Sequence, residues 1–188
     1  MIDETAPEFT YVPANYTTDC DVAVVYDAAT AEDNCSFADI TETRDTIPGT
    51  CAYNYDIVRT FTVVDECGNE NTATQTISVR DVDAPVFQNV PANYTASCED
   101  VLTYTTPTAV DNCGTAVVVE SPRDTIPGNC VNEFTIIRTF VATDDCGNST
   151  SVTQTINVVD DTNPVFTFVP ANYSQVCNTV LTLSLIHI

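Results

Sequence analysis

The sequence predicts an all-β chain of tandem β-sandwich repeats stapled by disulfides. The first observation is alternation: Tyr55, Ile57, Phe61 and Val63 share one phase, while Asn54, Asp56, Thr60 and Thr62 occupy the other. A period of two describes a strand with one buried and one wet face. The second is recurrence, since Arg59-Thr-Phe-Thr-Val-Val-Asp-Glu-Cys-Gly-Asn69 returns 79 positions later as Arg138-Thr-Phe-Val-Ala-Thr-Asp-Asp-Cys-Gly-Asn148. The third is the cysteine count: nine, with four in each repeat. A unit of this size buries only ~60% of its extended-chain surface, so a covalent staple is expected.

Taken in order, each repeat reads as strands and turns. Pro7 to about Thr18 is an edge-type strand, because Pro13 removes a ladder donor. Val22 to Tyr26 is a second strand, followed by a loop closing in Asp33-Asn-Cys35. A weaker strand precedes Arg44 and turns at Pro48-Gly49. The long strand from about Tyr53 to Val64 follows and enters Asp-x-Cys-Gly-Asn, where Gly and Asn are expected to take the positive φ of a tight turn. Thr72 to Val79 closes the unit, with Gln75, Ile77 and Val79 in one phase. No segment has a helical period with caps, and turn signals recur every ten or so residues.

Arg59 and Arg138 stand in the apolar phase of the long strand. A guanidinium at the core's rim, with its stem packed and its head paired to a carboxylate, accounts for both.

The motifs divide the chain into a first repeat at 3–80, a second at 81–159, a truncated third at 160–182 and a tail at 183–188. Val12-Pro-Ala-Asn-Tyr16 recurs at 90–94 and 169–173, and Asp45-Thr-Ile-Pro-Gly49 at 124–128. The offset is 78 early and 79 later, so one residue is inserted between Cys113 and Arg123. Leu183-Ser-Leu-Ile-His-Ile188 matches nothing in the repeat and resembles the translation of a sequencing-library adapter. Disulfides require export, yet no leader-like segment is recognisable. A fragment of a longer exported protein is therefore expected.

Composition excludes several functions. The formal charge is −22, with five arginines and no lysine, which disfavours nucleic acid and anionic membranes as partners. No apolar run approaches the ~18 residues of a membrane span. Cys-x-x-Cys is absent and the one histidine is His187, so a thiolate metal site is disfavoured and no Cys-His nucleophile exists in the repeats. The carboxylates lie in turns and linkers, where solvent keeps them ionised rather than raised for acid catalysis. An enzyme is not expected.

With these motifs in view, the repeat resembles the hyalin-repeat-like, immunoglobulin-like modules found in tandem in large surface adhesins of Bacteroidota. The resemblance covers nearly everything from Asp3 to about Thr179. It implies a non-catalytic extracellular, cell-surface stalk or spacer, whose partners are neighbouring repeats of the same chain. The alternative is a module that itself binds glycans or proteins, for which Tyr16, Tyr94 and Tyr173 would have to form an aromatic platform.

Strand direction places Cys20 and Cys51 at one end of the first sandwich and Cys35 and Cys67 at the other. The expected disulfides are therefore Cys20–Cys51, Cys35–Cys67, Cys98–Cys130 and Cys113–Cys146, with Cys177 left as a free thiol. A calcium site is expected at the junction between repeats. Asp81 and Asp83 of the linker would face Asp111, Asn112, Asp144, Asp145 and Asn148, which together offer the six to eight oxygens that calcium takes. The competing explanation is that Asp144 and Asn148 brace their own turn.

Overall fold

A computed structural model describes residues 3–35 and 37–169; the free-thiol expectation at Cys177, Tyr173 and the tail lie outside them. The first repeat contains β1 (Glu8–Tyr11), β2 (Tyr16–Asp19), β3 (Thr30–Glu32), β4 (Asp39–Pro48), β5 (Tyr55–Val64) and β6 (Glu70–Arg80). The second contains β7 (Val86–Gln88), β8 (Tyr94–Ser97), β9 (Thr108–Val110), β10 (Ala116–Glu120), β11 (Asp124–Pro127), β12 (Phe134–Asp144) and β13 (Ser149–Val159). The described residues contain no helix.

The large sheet of the first repeat runs β2-β6-β5-β4, and β1 pairs with β3 in a separate small sheet. The expected first strand is thus two strands in two sheets. They are broken across Val12–Asn15, where Pro13 has no N–H to give a ladder. One half runs antiparallel to β3 and the other parallel to β6. Val22–Tyr26 is not a strand; it is a loop that supplies cover for the core. Carbonyls of Ala14 and Asp27 receive hydrogen bonds from Gln75 and Arg59, which places these segments over the buried face of β5 and β6.

That face is the expected phase: Ile57, Arg59, Phe61 and Val63 of β5 and Gln75, Ile77 and Val79 of β6 are buried. Ile136, Ile156 and Val158 form its counterpart in the second repeat. The inserted residue is also visible. Where β4 is continuous, β10 and β11 are separate, because Glu120 faces Phe140 and Asp124 faces Ile137, leaving one residue more on this side. Pro122 sits in the break.

The disulfide expectation is overturned. The structure joins Cys20 to Cys113 and Cys51 to Cys146, with Cα separations of 6.1 and 5.2 Å. Cys35, Cys67, Cys98 and Cys130 are free thiols, so none of the four within-repeat bonds is formed. The assignment of cysteines to ends was sound; the repeats stack, and the lower pair of one meets the upper pair of the next. A disulfide needs Cα atoms about 4.4–6.8 Å apart, and the facing ends satisfy this.

Candidate junction site

Each core arginine is fixed by its own strand neighbours. Arg59 is 1% exposed; Nε and Nη2 donate to the Glu42 carboxylate at 2.8 and 2.9 Å, and Nη1 donates to Gln75 Oε1 at 2.6 Å. Its guanidinium lies 4.7 Å from the Phe61 ring. Arg138 repeats this with Glu120, Gln154 and Phe140. Hydrogen bonds from Arg59 and then Arg44 hold the Glu42 carboxyl at about 2, and Arg138 and Arg123 hold Glu120 at about 2. These are structural ion pairs with every donor engaged.

The junction is built from one device used twice, Asp-x-Cys. Asp111 Oδ2 accepts the Cys113 N–H at 2.9 Å, fixing that cysteine with the carboxylate's own turn. Asp144 Oδ1 accepts the N–H groups of Cys146, Gly147 and Asn148 at 2.8, 2.6 and 2.9 Å, and Oδ2 accepts from the Asn148 amide at 2.9 Å. Burial alone would raise the Asp144 pKa, but these hydrogen bonds outweigh it and lower it. Gly147 takes φ +94°, as expected, whereas Asn148 is not in the left-handed region and acts through its side chain.

Asn148 reaches across to the linker, donating to the Asp81 carbonyl at 3.2 Å. From the first repeat, Asn54 Oδ1 accepts the Asp81 N–H at 2.7 Å. Asp81 is therefore clamped between repeats and is 4% exposed. Carboxylate oxygens of Asp81, Asp111 and Asp144 lie within 4.8 Å of one another. Asp81 Oδ2 and Asp111 Oδ1 are buried with no hydrogen-bond partner. Burial, then Asp111, Asp144 and Asp19, push the Asp81 pKa up.

No arginine offsets this charge. All five are paired elsewhere, with Glu42, Asp56 or Glu120. The donor set, all hard oxygen, fits a divalent cation of the calcium type.

The other expected ligands are placed differently. Asp83 is exposed, and Asn112, also exposed, approaches it only at 3.5 Å. Asp145 is turned to Thr115, accepting from its backbone N–H and hydroxyl at 3.2 and 3.0 Å. Asp19 joins the cluster electrostatically and was missed, because the second repeat has Ser97 at that position and no motif marks it. Asp3, Asp33 and Asp65 form a matching group at the upper end of the first repeat. The offset of 78 or 79 residues from Asp81, Asp111 and Asp144 carries that information in the sequence.

The aromatic platform is not formed by the described tyrosines. Tyr16 Oη donates to the Val25 carbonyl at 2.8 Å and Tyr94 Oη to the Thr103 carbonyl at 3.2 Å, so both pin loops to their own repeat.

Comparison with known proteins follows the same lines. Residues 87–158 match the family model of the HYR-like domain with 4 cysteines, and that span contains Cys98, Cys113, Cys130 and Cys146. Hyalin of Lytechinus variegatus is 36% identical over 151 residues, covering 76% of this chain and 28% of hyalin. Hyalin of Strongylocentrotus purpuratus is 34% identical over 182 residues, covering 89% of this chain and 15% of hyalin. The chain thus spans under a third of either relative. Among solved structures, Drosophila N-cadherin EC1-4 aligns over 83% of this chain and 50% of that one, at 13% identity and a TM-score of 0.35. The second repeat of this chain is an HYR-like domain of the four-cysteine kind, set in a sequence similar to hyalin.

Proposed function

We propose that the chain is a non-catalytic extracellular segment of a large bacterial cell-surface adhesin, a stalk or spacer whose junctions are stiffened by calcium. The observation that carries this reading is the junction. Two sandwiches meet end to end through a linker and two disulfides, and three carboxylates, two with buried unpartnered oxygens, converge there without a cation of the protein's own.

A hinge between adhesive domains needs none of this, whereas a spacer that transmits load does. Asp81, Asp111 and Asp144 would hold the ion, with Asp19 adding charge beside it. The ion would remove the repulsion among them and lock the linker against the upper loops. Similarity to hyalin supports the adhesion-type, extracellular assignment, and among the described residues no helix is long and apolar enough to cross a membrane.

Calorimetry with X-ray scattering tests the proposal. Millimolar-range calcium is expected to raise the melting transition over that in chelator and to narrow the distribution of end-to-end distances. An unchanged transition together with an unchanged envelope would eliminate the cation and leave a passive spacer.

A further inference from the structure

The two faces of the junction each occur once more, at the outer ends of the described chain. The lower face of the first repeat carries Cys20, Cys51 and Asp81; the lower end of the second carries Cys98, Cys130 and Asp160 at the equivalent positions. The upper face of the second repeat carries Cys113 and Cys146 beside Asp111 and Asp144; the upper end of the first carries Cys35 and Cys67 beside Asp33 and Asp65. All four outer cysteines are free, and Cys35, Cys67 and Cys130 are exposed. Within each end the two thiols are neighbours, close enough for Cys67 to act on Cys35 and Cys98 on Cys130.

The upper loops of the first repeat are set as their bonded counterparts are. Asp33 Oδ2 accepts the Cys35 N–H at 2.9 Å, and Asp65 accepts from Asn69 at 2.8 and 2.7 Å. Asn69 in turn donates to the Asp3 carbonyl at 3.2 Å, as Asn148 does to that of Asp81. This end is preorganised in the geometry that bonds at the internal junction.

The lower end also has the shape of an open seat. An exposed groove of about 580 Å³ is lined by Thr125, Pro127, Gly128, Cys130, Val131 and Phe134. The equivalent hairpin of the first repeat is occupied: Gly114 lies against it so closely that a Cβ there would stand 2.6 Å from the Tyr53 ring. Asn132 replaces Tyr53 in the second repeat, and Ser36 replaces Gly114 in the first. The outer seat therefore exchanges a large residue facing glycine for a smaller residue facing serine.

We propose that the two outer ends are the halves of one covalent docking site, whose occupant is another repeat of this kind. The upper end of one copy seats on the lower end of another and is locked by Cys98–Cys35 and Cys130–Cys67 bonds, the register of Cys20–Cys113 and Cys51–Cys146. Such head-to-tail contacts do not close on themselves, so they extend an array. Each bond forms by two exchanges with a small-molecule disulfide such as oxidised glutathione. One thiolate attacks it and releases one glutathione thiolate; the partner thiolate then attacks the mixed disulfide and releases the second. One glutathione disulfide is reduced per bond, and the two thiol protons pass to solvent. The inference rests on the stapled junction and is independent of the cation.

The test uses the full chain with Cys177→Ser, prepared at natural isotope abundance and with ¹⁵N, mixed, reduced and reoxidised with glutathione in high salt that screens the acidic ends. Expected are linked peptides Cys98–Cys35 and Cys130–Cys67 that combine both isotopes, and a ladder of multimers that collapses on reduction. C35S/C67S should abolish the ladder while keeping Cys20–Cys113 and Cys51–Cys146. Monomers containing Cys35–Cys67 and Cys98–Cys130 would overturn the proposal, as would Cys98–Cys67 in place of Cys98–Cys35. Loss of Cys20–Cys113 and Cys51–Cys146 from the parent chain would overturn both the proposal and the junction it copies.

Discussion

Replacing Glu42 by Gln removes a charge and almost nothing else. Arg59 stays 1% exposed with its bonds to Gln75 and the Asp27 carbonyl, but loses its counter-ion. The Glu42 carboxyl is held at about 2, against 4.5 when unconstrained. That difference is linked to about 3 kcal/mol of stability. Breaking a buried pair by removing one partner typically costs about 3–5 kcal/mol, which brackets the same value. Because the folded-state pKa is depressed, the contribution is fully present above pH 4.5 and is lost as pH falls through about 2. Calorimetric melts of parent and Glu42→Gln chains from neutral pH to pH 2 should differ by roughly 6–12 °C at neutrality. The two should converge in acid. A difference that does not change with pH, or is absent at neutrality, would refute the assignment of Glu42 as the ionised partner of Arg59.

Three further outcomes follow from the junction. Replacing Cys51 and Cys146 by Ser opens a ring with a sequence separation of 95 residues, worth about 4–5 kcal/mol in the chain-entropy model, and should lower the non-reduced melting temperature without shifting the reduced one. Gly114→Leu combines φ +135° with a clash on Tyr53 and should slow Cys20–Cys113 formation several-fold, as read by thiol trapping during reoxidation. Asp81→Asn should stabilise the chain in chelator at neutral pH, since the raised pKa means that folding disfavours the charged form, and should abolish the calcium increment in the same melt.

The strands that carry the core were legible because their chemistry is local. β5 and β6 announce their buried faces through alternation, and the arginines in that phase were recognisable as packed and paired, although which acid pairs depends on register. The split of the first strand was less legible: Pro13 marks an interruption, but not that the halves enter different sheets. Val22–Tyr26 is apolar enough for a strand, yet its backbone finds no sheet, and its value lies in covering Arg59, a tertiary role. The cysteine ends were legible and the partners were not. A strictly repeating pattern looks the same whether each lower cysteine bonds upward within its repeat or onward to the next. Only the stacking of the ends breaks that degeneracy. The acid cluster was likewise half legible: Asp81, Asp111 and Asp144 converge, whereas Asp145 turns aside because Thr115 offers it two donors.

Tryptic mapping of the oxidised, unreduced chain tests the stapled junction most directly. With arginines at 44, 59, 80, 123 and 138 and no lysine, digestion places Cys20 in 1–44, Cys51 in 45–59, Cys113 in 81–123 and Cys146 in 139–188. The structure predicts that 1–44 is bonded to 81–123 through Cys20–Cys113, and 45–59 to 139–188 through Cys51–Cys146. Recovery of 1–44 bonded to 45–59 through Cys20–Cys51 would contradict it.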